Sequence, residues 1–123
     1  MNIPIPPEVK PYVKNISYDP SQNKVVIAIS LKLFFQSIIS EIEKEPRQLV
    51  TQVVKQNESI FVYVKFNVDL PKPFKDFQGR YTISQAELEQ MILSNNPDVS
   101  IYYNQQGDDL LLLVGIGVAT SNS

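Results

Sequence analysis

The side chains that carry out most enzyme chemistry near neutral pH are missing from this chain of 123 residues. The sequence contains no Cys and no His. Their absence excludes thiolate nucleophiles, imidazole bases and metal sites built from either residue. Carboxylates, lysines and tyrosines remain as acids, bases or ligands, so a chemical site would depend on their spacing.

The acidic residues do not have the spacing of a site. Glu41, Glu43 and Glu45 fall in a stretch with helical periodicity, where residues two apart point in different directions. They are typical of a solvated helix surface. We therefore predict no catalytic residue among these three glutamates.

The aspartates in the last third of the chain also lack the spacing of a site. Asp108 and Asp109 lie in a predicted turn, whereas Asp98 would lie at the far end of the hairpin that this turn closes. The oxygen-rich loop spacing of a calcium site is also absent. The sequence predicts no metal site and no cofactor.

Basic and aromatic side chains are interleaved between residues 71 and 82, which we interpret as a loop. Such a mixture can contact a phosphate backbone or bind a partner protein. The net charge of −2 gives no general attraction to nucleic acid, so of these two partners we prefer a protein. The alternative is that the aromatic rings pack under a sheet. The candidate partner-binding residues are Lys72, Phe74, Lys75, Phe77, Arg80 and Tyr81.

A second aromatic candidate is the pair Tyr102 and Tyr103, which is followed by Gln105 and Gln106. Tyrosine is common at interfaces because it combines contact area with a polar group. Tyrosine is also common on ordinary sheet surfaces, so both interpretations stay open.

The composition indicates one domain over residues 1–123. Four prolines in residues 1–11 predict an extended N-terminal arm, and residues 120–123 form a polar tail. No signal-peptide pattern is present, and the apolar run 110–119 is too short for a membrane helix. We expect a soluble, cytoplasmic protein without an internal repeat.

Period-two alternation predicts five strands. It is clearest over residues 25–35 and 60–70. The other predicted strands cover residues 12–18, 99–103 and 110–119.

Helical spacing predicts a kinked helix, or two short helices, over residues 36–56, with Pro46 at the break. Ser84 and Glu87 have the spacing of a capping box, which predicts a further helix that ends before Asn95.

The predicted order is ββ-α-β-α-ββ. The fold class is therefore α+β: a mostly antiparallel five-stranded sheet with two or three helices packed on it. The last strand is apolar on both faces, so each of its faces needs cover.

These features predict a non-catalytic interaction or structural-assembly protein. It would form a homo-oligomer through strand edges or an apolar sheet face. One alternative is a carrier that holds an apolar small molecule between the sheet and the helices. The other is a carboxylate-dependent enzyme.

Overall fold

The computed structural model describes residues 9–43, 49–65, 75–77, 79–93 and 99–117. After a short 3-10 helix, Lys10–Tyr12, the elements are β1 Val13–Asp19, β2 Lys24–Ser30, α1 Leu31–Glu43, β3 Val50–Gln56, β4 Ser59–Val64, β5 Lys75–Phe77, β6 Arg80–Ser84, α2 Gln85–Leu93, β7 Val99–Gln106 and β8 Asp109–Gly117. The fold is α+β, as predicted.

The strands form two antiparallel sheets instead of the predicted single sheet. The first sheet has the order β1-β2-β8-β7, and the second has the order β3-β4-β6-β5. Within the described ranges each sheet has four strands, so the prediction of five strands in one sheet was wrong. The strand order places hairpins that are distant in sequence side by side in one sheet. Hydrophobic spacing alone does not predict which hairpins pair.

The helix α1 begins earlier than predicted. Alternation from Val25 to Phe35 indicated one long strand, but β2 ends at Ser30 and the helix begins at Leu31. Ser30 decides the change, because its hydroxyl accepts a hydrogen bond from the Leu33 amide at 3.1 Å. This bond is the N-cap interaction that fixes a helix start.

The second part of the predicted helix 36–56 is a strand. Residues Val50–Gln56 form β3, in which β-branched residues predominate. The Gln36 side chain of α1 supports the start of β3, since its oxygen accepts hydrogen bonds from the amides of Leu49, at 2.6 Å, and Val50, at 2.8 Å. Pro46 lies outside the described residues.

The predicted loop 71–82 contains strand segments. Arg80–Ser84 form β6, and Lys75–Phe77 form β5 beside it. The predicted strand 60–70 corresponds to β4, Ser59–Val64, and its last residues lie outside the description. The last residues of the predicted extended arm differ from the prediction, because Lys10–Tyr12 are helical. Residues 1–8 and the tail 120–123 are not described.

The predicted helix start at Ser84 is confirmed, with Ser84 as the N-cap of α2. The Glu87 amide donates to the Ser84 hydroxyl at 3.1 Å, and that hydroxyl donates to the Glu87 carboxylate at 2.9 Å. The flanking residues Ile83 and Leu88 are both buried. Strand β6 therefore passes directly into α2, as β2 passes into α1.

One hydrophobic core joins both sheets and both helices. The strands contribute alternate residues, among them Ile29, Leu112 and Val62, and the helices contribute residues such as Phe35 and Leu88. Strand β3 contacts the β7–β8 hairpin, where the Val53 amide donates to the Asp108 carbonyl at 3.0 Å. The two sheets are therefore held together by side-chain packing and by this backbone contact.

Neither helix of the described chain, of 13 and 9 residues, is long and apolar enough to cross a membrane.

Candidate functional site

Strand β1 forms one edge of the first sheet and is the most exposed strand in it. Its only strand partner among the described residues is β2, so no described strand pairs with the backbone groups of its other side. The beginning of β1 is held against α1, because Tyr12 packs edge-on against Phe34 and its hydroxyl donates to Ser37 at 2.8 Å. The rest of the strand extends beyond this contact.

Two large side chains on β1 point to the same side of the sheet as the core but remain exposed. Ile16 pairs in register with Ile27, and Tyr18 pairs with Val25; both partners are buried. Ile16 itself is 46% exposed and Tyr18 is 54% exposed. We call Ile16 and Tyr18 the β1 edge patch. The core-facing side of the sheet is therefore left half covered at this edge.

The edge carries weak protection against pairing with another strand. A bulge near Lys14 and the two charges Lys14 and Asp19 lie at its ends, and such features commonly discourage edge pairing. Residues 15–18 between them are uncharged and contain no proline. The Ser21 hydroxyl donates to the Asp19 carboxyl and lowers its pKa, an effect larger than that of burial.

A polar cluster surrounds the start of α1. The Ser30 hydroxyl donates to Asp109 at 2.7 Å, and the other oxygen of Asp109 accepts from the Lys32 amide at 3.0 Å. Lys32 also forms an ion pair with Asp108 at 2.7 Å, which lowers the pKa of the Asp108 carboxyl. These bonds hold the β7–β8 turn on the first turn of the helix.

A cavity of about 330 Å³ opens beside this cluster, lined by Lys14, Ser30, Lys32, Leu33, Gln106, Asp108, Asp109 and Leu111. Ser30 is 1% exposed, and its hydroxyl already donates to a carboxylate and accepts from an amide. A hydroxyl in these bonds caps the helix and is not poised as a nucleophile. The described chain also contains no group of three or more potential metal-ligating side chains.

A second polar contact joins α2 to β7. The Tyr103 hydroxyl donates to Glu89 at 2.7 Å, and the Gln85 side chain donates to the same oxygen at 3.0 Å. The Lys55 ammonium lies 5.4 Å from the centre of the Tyr103 ring. Burial, followed by the bond to Glu89, raises the pKa of Tyr103 well above its ordinary value.

This pKa shift predicts a loss of stability in alkaline solution. The unfolded chain would release the Tyr103 proton near the ordinary pKa of 10.0, whereas the folded chain retains it to higher pH. The stabilisation is therefore complete below that value and is lost as the pH rises above it. Urea unfolding from about pH 8 to about pH 11 should show a shallower decline of the unfolding free energy in Tyr103→Phe than in wild type. Parallel curves would contradict the assignment, and Glu89→Gln, which leaves burial in place, should fall between them.

Of the partner-binding residues predicted between 71 and 82, the structure describes the side chains of Arg80 and Tyr81. Lys72 and Phe74 lie outside the described residues, and nothing is described of the side chains of Lys75 and Phe77 in β5. Arg80 lies over the Phe61 ring at 5.0 Å, and Tyr81 is 3% exposed, within the core. Tyr81 is therefore not available at the surface.

The two candidate tyrosines of β7 point to opposite sides of their sheet. Tyr102 pairs with Leu113 and is 55% exposed, whereas Tyr103 pairs with the buried Leu112 and contacts Glu89. Only Tyr102 has the exposure of an interface residue.

The β1 edge patch was missed by the sequence reasoning. The signal was present: a short strand of mixed polarity that ends at Asp19-Pro20 and precedes a long apolar strand is typical of a sheet edge. Residue spacing could not show that Ile16 and Tyr18 lie on the core-facing side of the sheet and still remain exposed.

Comparison of the chain with protein-family models, with curated protein sequences and with solved structures finds no match.

Proposed function

We propose that the chain is a non-catalytic interaction protein that self-associates by antiparallel pairing of β1 with β1 of a second copy. The observation that carries this proposal is the β1 edge patch: two large side chains, Ile16 and Tyr18, each about half exposed on the core-facing side of an edge strand. Pairing at this edge would satisfy backbone groups and remove the patch from water in one step.

A second copy suits this edge in both shape and charge. Antiparallel pairing about a two-fold axis at Ile16 or Ser17 places the two patches side by side on one face. The same arrangement brings Lys14 of each copy near Asp19 of the other, since these charges lie at opposite ends of the strand. The assembly would end at two copies, because each copy uses its β1 edge patch in the interface.

The chemistry at the start of α1 favours a non-catalytic role over the two alternatives. Four of the eight residues that line the cavity there are charged, a lining unsuited to an apolar small molecule. Asp109 is committed to the helix start and Asp108 to Lys32, which does not suit a general acid and base.

Sedimentation velocity over a range of concentrations tests the proposal. We expect wild type to show a reversible monomer–dimer equilibrium and Ile16→Lys to weaken dimerisation at least tenfold, which corresponds to about 1.4 kcal/mol. The reason is that the two-fold axis would place two added ammonium groups close together.

Tyr102→Lys is the matched control, since Tyr102 is equally exposed but lies on β7 and on the other face. It should dimerise like wild type, and at concentrations where all three proteins are monomeric both variants should unfold at the wild-type temperature. A wild-type protein that stays monomeric at every concentration refutes the proposal. Loss of the dimer in Tyr102→Lys alone would move the interface to β7.

A further inference from the structure

The backbone contains two copies of one arrangement. The first half, β1-β2-α1-β3-β4, and the second half, β5-β6-α2-β7-β8, have the same element order. When the elements of the two halves are matched in chain order, the sheet order β1-β2-β8-β7 corresponds strand by strand to β5-β6-β4-β3, and every pair is antiparallel in both. The strand topology is therefore that of a two-fold repeat.

Residues with a positive φ occupy equivalent positions in the two halves. The positive-φ residues of the described chain are Asn23, Asn57, Gly79 and Gly107. Asn23 precedes β2 as Gly79 precedes β6, and Asn57 follows β3 as Gly107 follows β7. Positive φ is uncommon outside glycine, so its occurrence at equivalent places is an independent sign of repetition.

The helix starts also correspond. Ser30 and Ser84 are the last residues of their strands, and each hydroxyl accepts an amide hydrogen bond at 3.1 Å from the residue three positions later. In each case a hairpin turn from the neighbouring strand pair adds a further bond: Asp109 accepts from α1, and the Glu58 carbonyl accepts from the Gln85 amide of α2.

Each half completes its sheets only with strands of the other. The first half supplies β1 and β2 to one sheet and β3 and β4 to the other, and a two-stranded hairpin alone is marginal in water. The halves meet through seven residue pairs between β2 and β8 and five between β4 and β6. The contact between halves is thus an extensive backbone and core interface.

We infer that this interface between the halves is a binding surface for a second copy of the chain, in which the complementary half of the second copy replaces the chain's own. The exchanged assembly makes the same strand pairs, caps and core contacts as the monomer. Exchange of this kind requires no new contact and competes with closure of the chain on itself. It uses a different surface from the β1 edge patch and does not depend on that proposal.

Refolding of two full-length variants together tests the inference. Ile29→Asp damages the first half and Ile83→Asp damages the second, because both side chains are almost completely buried in the core. We expect each variant alone to give the collapsed amide spectrum of an unfolded chain. In the refolded mixture, with only Ile83→Asp labelled with ¹⁵N, dispersed native peaks should appear for residues of the first half and not for the second.

The control mixes Ile29→Asp with Val53→Asp, which lies in the same half and is equally buried. This mixture contains no intact first half and should give no dispersed peaks. If the complementary mixture also gives none, the inference is wrong. If the control mixture gives as many native peaks as the complementary one, recovery does not come from exchange of halves and the inference is again wrong.

A second measurement does not depend on damaged variants. The Ile16→Lys protein, in which the β1 edge is blocked, is unfolded in urea and refolded at about 1 mM chain, where association between copies competes with closure within one chain. We expect a dimer fraction of about one half that persists on dilution. Exclusively monomeric protein at this concentration would overturn the inference, whether or not wild type pairs through β1.

Discussion

Asp109→Ala should lower the free energy of unfolding by about 2 kcal/mol, because one carboxylate serves two buried or half-buried donors at the start of α1. The Ser30 hydroxyl and the Lys32 amide both donate to it, and Ser30 is 1% exposed. Hydrogen bonds to a charged group contribute about 1.5–3 kcal/mol, and a buried donor without a partner adds its own cost. Urea unfolding at neutral pH measures the change.

The neighbouring aspartate provides a matched control. Asp108 pairs with Lys32 through a side chain that is 61% exposed, and ion pairs of this kind contribute little. Asp108→Ala should therefore leave the urea midpoint nearly unchanged, while Asp109→Asn, which keeps an acceptor for the Lys32 amide, should fall between the two alanine variants. Equal losses of unfolding free energy in Asp109→Ala and Asp108→Ala would mean that the bonds of Asp109 do not hold the β7–β8 turn to α1.

Leu112→Ala should cost about 3 kcal/mol of unfolding free energy, the largest effect that we expect from a single substitution in β8. Leu112 is 0% exposed and pairs with Ile29 on one side and with Tyr103 on the other. Truncation of a buried leucine removes its transfer free energy and leaves a cavity at the junction of strands from both halves. The measurement is the urea midpoint at constant m-value.

Leu113→Ala distinguishes the two faces of the same strand. Leu113 points to the other side of the sheet and is only half-buried, so its loss should be about 1 kcal/mol. A loss as large as that of Leu112→Ala would show that the outer face is packed as firmly as the core. That result would contradict the assignment of the core to one face of this sheet.

Local signals predicted the start of α2 and the β1–β2 and β7–β8 hairpins, but not the boundary between β2 and α1. Ser84 with Glu87 was sufficient to place α2, since a capping box is complete within four residues. At α1 the apolar residues 31, 33 and 35 fit a strand, while residues 31, 34, 35 and 38 fit a helix. Ser30 resolved the ambiguity through its bonds to Leu33 and Asp109, and the second of these partners lies 79 positions away in the chain.

The strand order could not be predicted from spacing, because pairing between the halves is not local. The sequence shows no obvious repeat, yet two short correspondences are visible once the fold is known. Ile29-Ser30 and Ile83-Ser84 precede the helices, and Gln56-Asn57-Glu58 and Gln106-Gly107-Asp108 form equivalent turns. These stretches fix backbone geometry, whereas the residues between them vary with the packing that each position meets.

The contact between Val53 and the β7–β8 hairpin has a consequence for the size of any assembly. The Val53 amide donates to the Asp108 carbonyl, and its carbonyl accepts from the Gln105 side chain at 2.9 Å. An incoming strand would have to displace these groups before it could extend the second sheet at β3. Under the proposed pairing at β1, this contact would close the β3 edge to a further copy, which favours a small assembly over one that grows at both sheets.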